Sequence, residues 1–402
     1  MYIFSTEVNQ KEYDSYVKNN QHCSLLQSYK WADVKDNWDH MFTGVYNGKE
    51  LVCCALVLIK KLPMSFSMFY LPRGPVMDFS DEKLLHFYFN ELKKVAKKRN
   101  CLFIKMDPSI LVSDFHLNED RKELDYHKEF NNILSCHAVH YGFNKDFKST
   151  VQPRYNMIVF SDEFGIDALT KKGKKNIRIA EKNKLEICIG REELLDDFVQ
   201  VMQCTEKRKQ ISLRSRDYYL HLLQTYEDDA FITLSYFNIE EMLKDAERKY
   251  KICLKDLENC PEIAKKKRFT LEELKSSLEM KINNYNENLE KYGKRVCVCG
   301  TLTVVYGNTS EILYAGMNET FKRLMGPYLT WYKTLEHCFS LGCRTSNMGG
   351  IEGDLEGGLV EFKEVFYPRI CEYVGEFDLP VNEFLYQLAF KMYRKFKARK
   401  VK

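Results

Sequence analysis

Proline and glycine are scarce in this sequence, with 9 and 19 among 402 residues. So few chain breakers leave little room for long disordered linkers. A charge excess is missing too, because 61 basic side chains nearly balance 57 acidic ones and leave a formal net charge of +4. This balance excludes a strong overall field for nucleic acid. A polyanion must therefore be bound by a local patch, and we expect no DNA partner.

Long apolar runs are also absent. No segment approaches the ~18 consecutive apolar residues of a membrane-spanning helix. Residues 1–16 lack the basic stretch and apolar core of a signal peptide. We expect a cytoplasmic protein that meets a membrane, if at all, only at its inner surface.

The 14 cysteines are scattered and lack the spacing of a metal site. Cys53 and Cys54 are adjacent in an apolar run, and Cys297 and Cys299 lie two apart in another. Free thiols of this kind fit a reducing compartment better than a disulfide framework. Since no nucleotide-binding loop is present either, we expect neither a metal nor an organic cofactor.

Hydrophobic residues make up 45% of the sequence, which is enough for more than one apolar core. Strand-like and helix-like segments alternate up to about residue 150, and a second alternation starts near Val151. The two halves predict an α/β fold with antiparallel strand pairs and a duplicated architecture, although no sequence repeat is visible.

A helical segment interrupts the second half. Two apolar stripes with spacings of three and four residues are separated by a break at Asn259–Pro261. The first stripe consists of Ile239, Leu243, Ala246, Tyr250, Cys253, Leu257 and Cys260. The second consists of Leu271, Leu274, Leu278, Ile282, Tyr285, Leu289 and Tyr292. A mean spacing of 3.5 is a heptad pattern. We predict an antiparallel coiled-coil hairpin in which each stripe covers the other.

The segment Asn347–Asn382 is the richest local signal. Five glycines fall within ten residues and are followed by the pair Phe362–Lys363. Such a loop lets a ligand approach the backbone closely. It matches neither a Walker loop nor a dinucleotide fingerprint, so by itself it is equally consistent with a flexible surface loop.

Seven motifs along the chain together resemble the Fem family of peptidoglycan interpeptide-bridge aminoacyltransferases. The first is this C-terminal segment, with its glycine-rich turn, Phe-Lys and Gly-Glu-Phe-Asp. The others, in chain order, are LLQSYKWADVK (25–35), LPRGPV (71–76), FIKMDPS (103–109), QPRYNMIV (152–159), KKGKKNIRIAEKNKLEI (171–187) and RKQISLRSRDYY (208–219). The resemblance therefore covers almost the whole chain, in order.

The resemblance implies two acetyltransferase-like (GNAT-like) domains that face a cleft. We expect the first at 1–150, with the tail 376–402 packed back on it, and the second at 151–238 and 296–375. The arm at 239–295 is either a solvated spacer or dimer contact, or a lever for tRNA. The implied donor is an aminoacyl-tRNA. The implied acceptor is a muropeptide precursor with a free amine, either lipid II or UDP-MurNAc-pentapeptide.

Four residues match the family's acceptor-binding positions. Lys35 and Arg214 match positions that bind the diphosphate, a group that cations and especially arginine forks hold well. Tyr218 lies one turn after Arg214 on a predicted helix, and Tyr314 lies in ILYAG. Without the resemblance, the two cations read as solvated surface charges, and the tyrosines fit the core equally well.

Three residues are catalytic candidates. Lys363 matches the family lysine, and its ammonium would stabilise the oxyanion formed during aminolysis of the tRNA ester. Phe362 would shape the donor pocket. Asp107 is a carboxylate at a strand end that would orient the attacking ammonium, which must lose a proton before it attacks. A turn-capping role for Asp107 is equally consistent with the sequence.

Basic segments suit the expected RNA. One helix carries Lys171, Lys172, Lys174, Lys175 and Arg178, which we expect to contact the tRNA backbone without reading its sequence. The tail 390–402 is a second basic cluster that would contact RNA, anionic lipid headgroups or neither.

Two other function classes remain to be weighed. An acyl-CoA N-acyltransferase of the same fold needs a pyrophosphate-binding Arg/Gln-x-x-Gly-x-Gly/Ala turn, and the stretch from Ile312 to Tyr332 lacks one. A non-catalytic scaffold built around the hairpin predicts that Lys363→Met would leave function unchanged.

Overall fold

A computed structural model describes residues 1–146, 150–388 and 390. Its strands are β1 (Tyr2–Ser5), β2 (Asp39–Asn47), β3 (Glu50–Lys61), β4 (Ser67–Leu71), β5 (Val76–Met77), β6 (Cys101–Met106), β7 (Leu111–His116), β8 (Val139–His140), β9 (Tyr155–Phe160), β10 (Glu186–Gly190), β11 (Ala230–Asn238), β12 (Arg295–Tyr306), β13 (Thr309–Met317), β14 (Thr345–Ile351), β15 (Arg369–Tyr373) and β16 (Phe377–Pro380). Its helices are α1 (Gln10–Asn19), α2 (Trp31–Val34), α3 (Glu82–Lys98), α4 (His127–Ser135), α5 (Lys171–Lys182), α6 (Leu195–Lys209), α7 (Arg216–Tyr226), α8 (Ile239–Glu258), α9 (Lys265–Tyr292), α10 (Gly326–Ser340) and α11 (Gly358–Lys363).

The strands form two mixed sheets. The first has the order β1-β2-β3-β4-β6-β16-β8, with β5 on β3, and the second has the order β10-β11-β12-β13-β14-β9-β15-β7. Pairing is antiparallel except for β4 with β6 and β13 with β14. Side chains of β3 are buried on both faces from Cys53 to Ile59, which is why this strand reads as a continuous apolar run. The α/β fold class with two sheets is confirmed.

Two strands cross between the halves. β7 lies within the 1–150 range expected for the first domain, yet it pairs with β15 at the edge of the second sheet. In return, β16 from the C-terminal part is inserted between β6 and β8 of the first sheet. The boundary drawn from sequence thus differs from the strand pairing, because β7 is too short and half-buried to show which sheet it joins.

The halves also share one apolar core. A single buried cluster joins Tyr13 and Leu56 of the first half to Leu222 and Leu302 of the second. Ser28 Oγ and Tyr226 Oη lie 2.5 Å apart across this junction. Close packing of this kind holds the walls of any cleft between the halves in fixed positions.

The hairpin arm consists of α8 and α9. Asn238 caps α8, its side chain accepting a hydrogen bond from the Glu241 amide. Tyr250 donates to Glu279 at 2.6 Å, and Phe237 at the base contacts Tyr285, so the helices run antiparallel. Leu274 of the second stripe differs from expectation, since it is 46% exposed near the tip.

No helix among the described ranges has both the length and the apolar character needed to cross a bilayer.

A buried ion pair lies at the edge of the second sheet where β7 pairs with β15. Glu372 on β15 pairs with Arg154 before β9, and it also accepts hydrogen bonds from Ser113 of β7 and from Arg121. Burial of Glu372 opposes its ionisation, but these donors and the charge of Arg154 outweigh burial and hold the pKa of Glu372 below its ordinary value.

We predict that Glu372→Gln lowers the free energy of unfolding by about 3 kcal/mol, because it leaves the Arg154 guanidinium buried without its partner. Urea unfolding followed by circular dichroism measures the change. The control is Glu336→Gln, which breaks an exposed pair with Lys333 and is expected to cost under about 0.5 kcal/mol. Equal losses in the two variants would contradict the prediction.

Candidate active site

The site begins where β13 and β14 separate. These parallel strands pair over only three residues, from Thr309–Thr345 to Glu311–Asn347. β14 then has an irregular register up to Gly350 in its pairing with β9. Because the backbones diverge beyond this point, the second sheet opens and α11 lies against the gap.

Lys363, the last residue of α11, is buried, with 3% of its surface exposed. Its Nζ donates to the carbonyls of Gly349 and Gly350 at 3.0 and 3.1 Å. Within the described ranges no carboxylate lies within ion-pair distance of this ammonium. Burial, and to a lesser extent the charge of Lys209, lowers the pKa of Lys363 to about 7. Near neutral pH Lys363 is therefore only partly protonated, and the two carbonyl dipoles stabilise its charged form.

A cavity of about 670 Å³ lies on the side of Phe362 and is called here the cationic pocket. Phe362 packs against Tyr328 and Trp331 with ring centroids 5.2 and 5.3 Å apart, which gives the pocket an aromatic wall. Four cations also line it, namely Arg208, Lys209, Lys322 and Arg323. An aromatic wall with this charge suits a ligand that combines a flat ring with phosphate groups.

A second cavity of about 760 Å³, the central cleft, lies between the two halves. Its lining includes Ser24 and Arg73 from the first half and Asn347 from the second, as well as Gly349 and Gly350. The carbonyls that hold Lys363 thus belong to residues of the central cleft, whereas the neighbouring Phe362 faces the cationic pocket. Residues 362–363 therefore form part of the wall between the two cavities.

The four residues predicted for acceptor binding form one cluster. Arg214 lies over the Tyr218 ring with its Cζ 4.9 Å from the centroid, and Tyr314 Oη donates to Tyr218 Oη at 3.2 Å. Lys35 Nζ lies 4.8 Å from the Trp31 ring. Burial, and then the charge of Arg214, lowers the pKa of Lys35 to about 8. Neither cation has an ion-pair partner in the part of the chain that the structure describes, and two neighbouring cations of this kind are suited to a diphosphate.

No hydrogen bond or ring contact between this cluster and Lys363 occurs in the described part of the chain. Tyr314 follows Leu313, a residue of the central cleft, on β13, so the cluster lies beside the cleft. The structure therefore brings Lys35, Arg214, Tyr218 and Tyr314 together, and β13 and the central cleft lie between them and the carbonyls that bind Lys363.

Asp107 occupies a different position from that expected of a group that contacts an amine. It is 1% exposed and accepts hydrogen bonds from the Arg73 amide at 2.7 Å and from Tyr70 Oη at 3.0 Å. The first bond holds Arg73 in a left-handed backbone conformation, with φ +52°. Burial raises the pKa of Asp107 to about 6, and the charge of Arg73 opposes this shift. This geometry favours a positioning role over contact with an amine.

The basic helix is α5, and its charged residues face outward. Lys171, Lys172, Lys175 and Arg178 are exposed and Lys174 is half-buried, while Gly173 faces inward. A Cβ at Gly173 would meet the Val365 carbonyl at 2.9 Å, so the close approach of α5 to this segment requires glycine. Lys172 pairs with Glu361 of α11 at 3.5 Å. The outer face of α5 thus begins beside Phe362 and Lys363.

Sequence reasoning missed several residues of the site. Arg208, Lys209, Lys322 and Arg323 converge only in the fold, although Arg208 belongs to one of the recognised motifs. Arg73, in the LPRGPV motif, was not singled out either, yet it lines the central cleft. Apart from Phe390, the basic tail lies outside the described residues.

Comparison with known proteins identifies the family. A profile of the FemAB family matches residues 8–394. The chain belongs to the FemAB family. It is similar to the aminoacyltransferase FemA of Staphylococcus epidermidis, at 26% identity over 95% of this chain and 97% of that protein. FemA of Staphylococcus aureus is likewise 26% identical, over 95% of this chain and 96% of its own length.

The fold of the FemAB protein also has solved counterparts. The crystal structure of FemX superimposes with a TM-score of 0.76 at 23% identity, over 96% of this chain and 99% of that one. The C-terminal domain of a putative lysylphosphatidylglycerol synthetase from Agrobacterium fabrum is more distant, with a TM-score of 0.50 at 10% identity over 95% of this chain and 94% of that one. The expectation of a Fem-type aminoacyltransferase is confirmed by the family match.

We predict that Arg214→Ala raises the pKa of Lys35 above about 8, because it removes a neighbouring positive charge, while burial still holds the pKa below its ordinary value. NMR titration of lysine side chains, with Lys35→Gln used to assign the signal, measures the shift. Arg208→Ala, in the cationic pocket, is the control and should leave Lys35 unchanged. An unmoved Lys35 pKa in Arg214→Ala would contradict the assigned cluster.

Proposed function

We propose that this aminoacyltransferase moves an amino acid from an aminoacyl-tRNA to the free amine of a peptidoglycan precursor stem peptide, which is either lipid-linked or UDP-linked, and so builds an interpeptide bridge. The observation that carries the proposal is Lys363, a buried ammonium without an acidic partner among the described residues, in the wall between the two cavities.

The cationic pocket is proposed to bind the donor. Phe362, Tyr328 and Trp331 offer ring faces for the terminal base of a tRNA, and base–aromatic stacking contributes about 1–3 kcal/mol per base. Arg208, Lys209, Lys322 and Arg323 would meet the adjoining phosphates. The outer face of α5 would extend this contact along the RNA backbone, without reading sequence.

The cluster of Lys35, Arg214, Tyr218 and Tyr314 is proposed to bind the diphosphate end of the acceptor. Its position beside the central cleft would direct the stem peptide into the cleft, towards Gly349 and Gly350. The acceptor amine and the donor ester would then approach the wall at Lys363 from opposite sides.

The chemistry follows from this arrangement. The neutral acceptor amine attacks the ester carbonyl, and a C–N bond forms as negative charge collects on the carbonyl oxygen. Collapse of the tetrahedral intermediate breaks the ester C–O bond, and the ribose oxygen leaves with a proton from the amine. The Lys363 ammonium would stabilise the oxyanion by ~3 kcal/mol. An oxyanion nearby would also favour the charged form of this lysine.

We predict that Lys363→Met lowers kcat at least 100-fold, because ~3 kcal/mol of transition-state stabilisation is lost. Methionine has a similar shape and leaves no charge to bury, so the thermal midpoint should be unchanged or higher. Turnover is measured with purified protein, charged tRNA and labelled precursor. Lys333→Met, on the exposed side of α10, is the matched control and should retain full activity.

Full activity in Lys363→Met would favour the scaffold hypothesis and contradict the proposed role. Loss of activity together with loss of folding would assign Lys363 to structure instead. Wild-type protein that accepts acyl-CoA and rejects charged tRNA would support the acyl-CoA alternative.

We predict that Arg214→Ala raises the acceptor KM about tenfold and changes kcat less, because a charge-assisted contact to the diphosphate is worth ~1.5–3 kcal/mol. The effect should shrink as salt is added. Steady-state kinetics against acceptor concentration at two ionic strengths measures it. Arg216→Ala removes an exposed arginine paired with Asp196 and is the control. Equal KM values for the two variants would remove the diphosphate assignment.

A further inference from the structure

Glu311 is a carboxylate that lines the central cleft. It lies on β13, in the last residue pair that holds β13 to β14, opposite Asn347. The side chain is half-buried, and within the described ranges it makes no hydrogen bond and no ion pair. Its charge acts on Cys23, Arg73 and Tyr373, which all line the central cleft. The carboxylate is therefore inside the cleft and not beneath it.

Arg73 acts on Glu311 through its charge, but the two form no ion pair within the described ranges. Arg73 Nη2 donates to the Pro153 carbonyl at 2.6 Å, and its guanidinium stacks 4.0 Å above the Tyr373 ring. Burial raises the pKa of Glu311 to about 7, and the charge of Arg73 only opposes this shift. A carboxylate that is partly removed from water without a hydrogen-bond donor is costly. A ligand that brings a cationic hydrogen-bond donor would recover this cost.

Glu311 is also close in the fold to the proposed reaction centre. Asn347, opposite Glu311, accepts a hydrogen bond from the Gly349 amide at 2.8 Å and so shapes the turn that follows. That turn presents the Gly349 and Gly350 carbonyls to Lys363. Glu311 and the turn residues line the same cleft. A group bound to Glu311 therefore lies on the cleft side of the wall that contains Lys363.

We propose that the carboxylate of Glu311 binds a primary ammonium group carried by one of the two reactants. The proposal rests on the proposed function, since both the acceptor and the aminoacyl donor carry such a group. An acceptor ammonium would also lose its proton here: the N–H bond breaks, the carboxylate becomes a carboxyl group, and the freed amine attacks the ester. The second amine proton then leaves with the ribose oxygen.

Binding measurements test the acceptor as the source. Isothermal titration compares a UDP-linked muropeptide that carries its free amine with the same molecule acetylated at that amine. We expect acetylation to weaken binding at least tenfold in the wild type and less than twofold in Glu311→Gln. Asp162→Asn, which removes an exposed carboxylate from the same cleft, should keep the wild-type discrimination. Glu311→Asp keeps the negative charge and should keep part of the wild-type difference in affinity between the two ligands.

A second pair of ligands tests the donor as the source. An aminoacyl-adenosine with an amide in place of the ester is compared with its analogue lacking the α-amine. If Glu311→Gln no longer distinguishes these two adenosine analogues but still distinguishes the two muropeptides, the ammonium belongs to the donor. If a folded Glu311→Gln protein discriminates within both pairs like the wild type, the Glu311 site is disproved while the proposed function stands. Wild-type protein that binds neither reactant would overturn the proposed function, and the site with it.

Discussion

The hydrogen bonds from Lys363 to the carbonyls of Gly349 and Gly350 set the constraint on which the site depends. An ammonium buried without a carboxylate loses much of its hydration, and two carbonyl dipoles replace only part of it. Glycine at 349 has φ +84°, a conformation that other residues rarely adopt, and a Cβ there would lie 3.7 Å from the lysine Nζ. The glycine-rich loop therefore shapes a cation site from backbone alone. An ammonium held in this way keeps a strong attraction for any anion that forms beside it.

The exchanged strands explain how such a site stays in place. β7 and β16 each complete the sheet of the other half, and Glu372 and Arg154 form a buried ion pair at the joined edge. The shared core with its Ser28–Tyr226 contact adds a second junction. A cleft between two independently packed domains would open and close freely, whereas here separation would break strand pairs and expose apolar surface. The distance from the cluster of Lys35, Arg214, Tyr218 and Tyr314 to Lys363 is thus fixed mainly by the fold.

Features that depend on residues close together in the chain could be predicted from sequence, whereas features that depend on long-range contacts could not. The hairpin arm was predictable because its heptad spacing is local, and the outward face of α5 was predictable because Gly173 and Ala180 mark its inner side. The exchange of β7 was not, since a six-residue strand carries no mark of its partner. Lys363 and Phe362 were found by resemblance. Their burial, and their position in the wall between the two cavities, depend on how β13 and β14 diverge. The carboxylate of Asp107 was found, but its bond to the Arg73 amide, 34 residues away, has no local signal.

The charges on the two sides of the wall explain why the site is arranged around β13 and β14. Among the residues that the structure describes, Lys363 has no acidic partner and Glu311 has no ion-pair partner, and the turn at Gly349 and Gly350 lies between them. Had they been placed in contact, each would have neutralised the other, and neither would have retained an affinity for a reactant. The short pairing of β13 with β14 ends at Glu311, and the turn that follows on β14 binds Lys363 of α11 through the Gly349 and Gly350 carbonyls. The proposed aminolysis would begin with an ammonium and pass through an oxyanion, and the divergence of the two strands would place the opposite charges that these two steps need near each other.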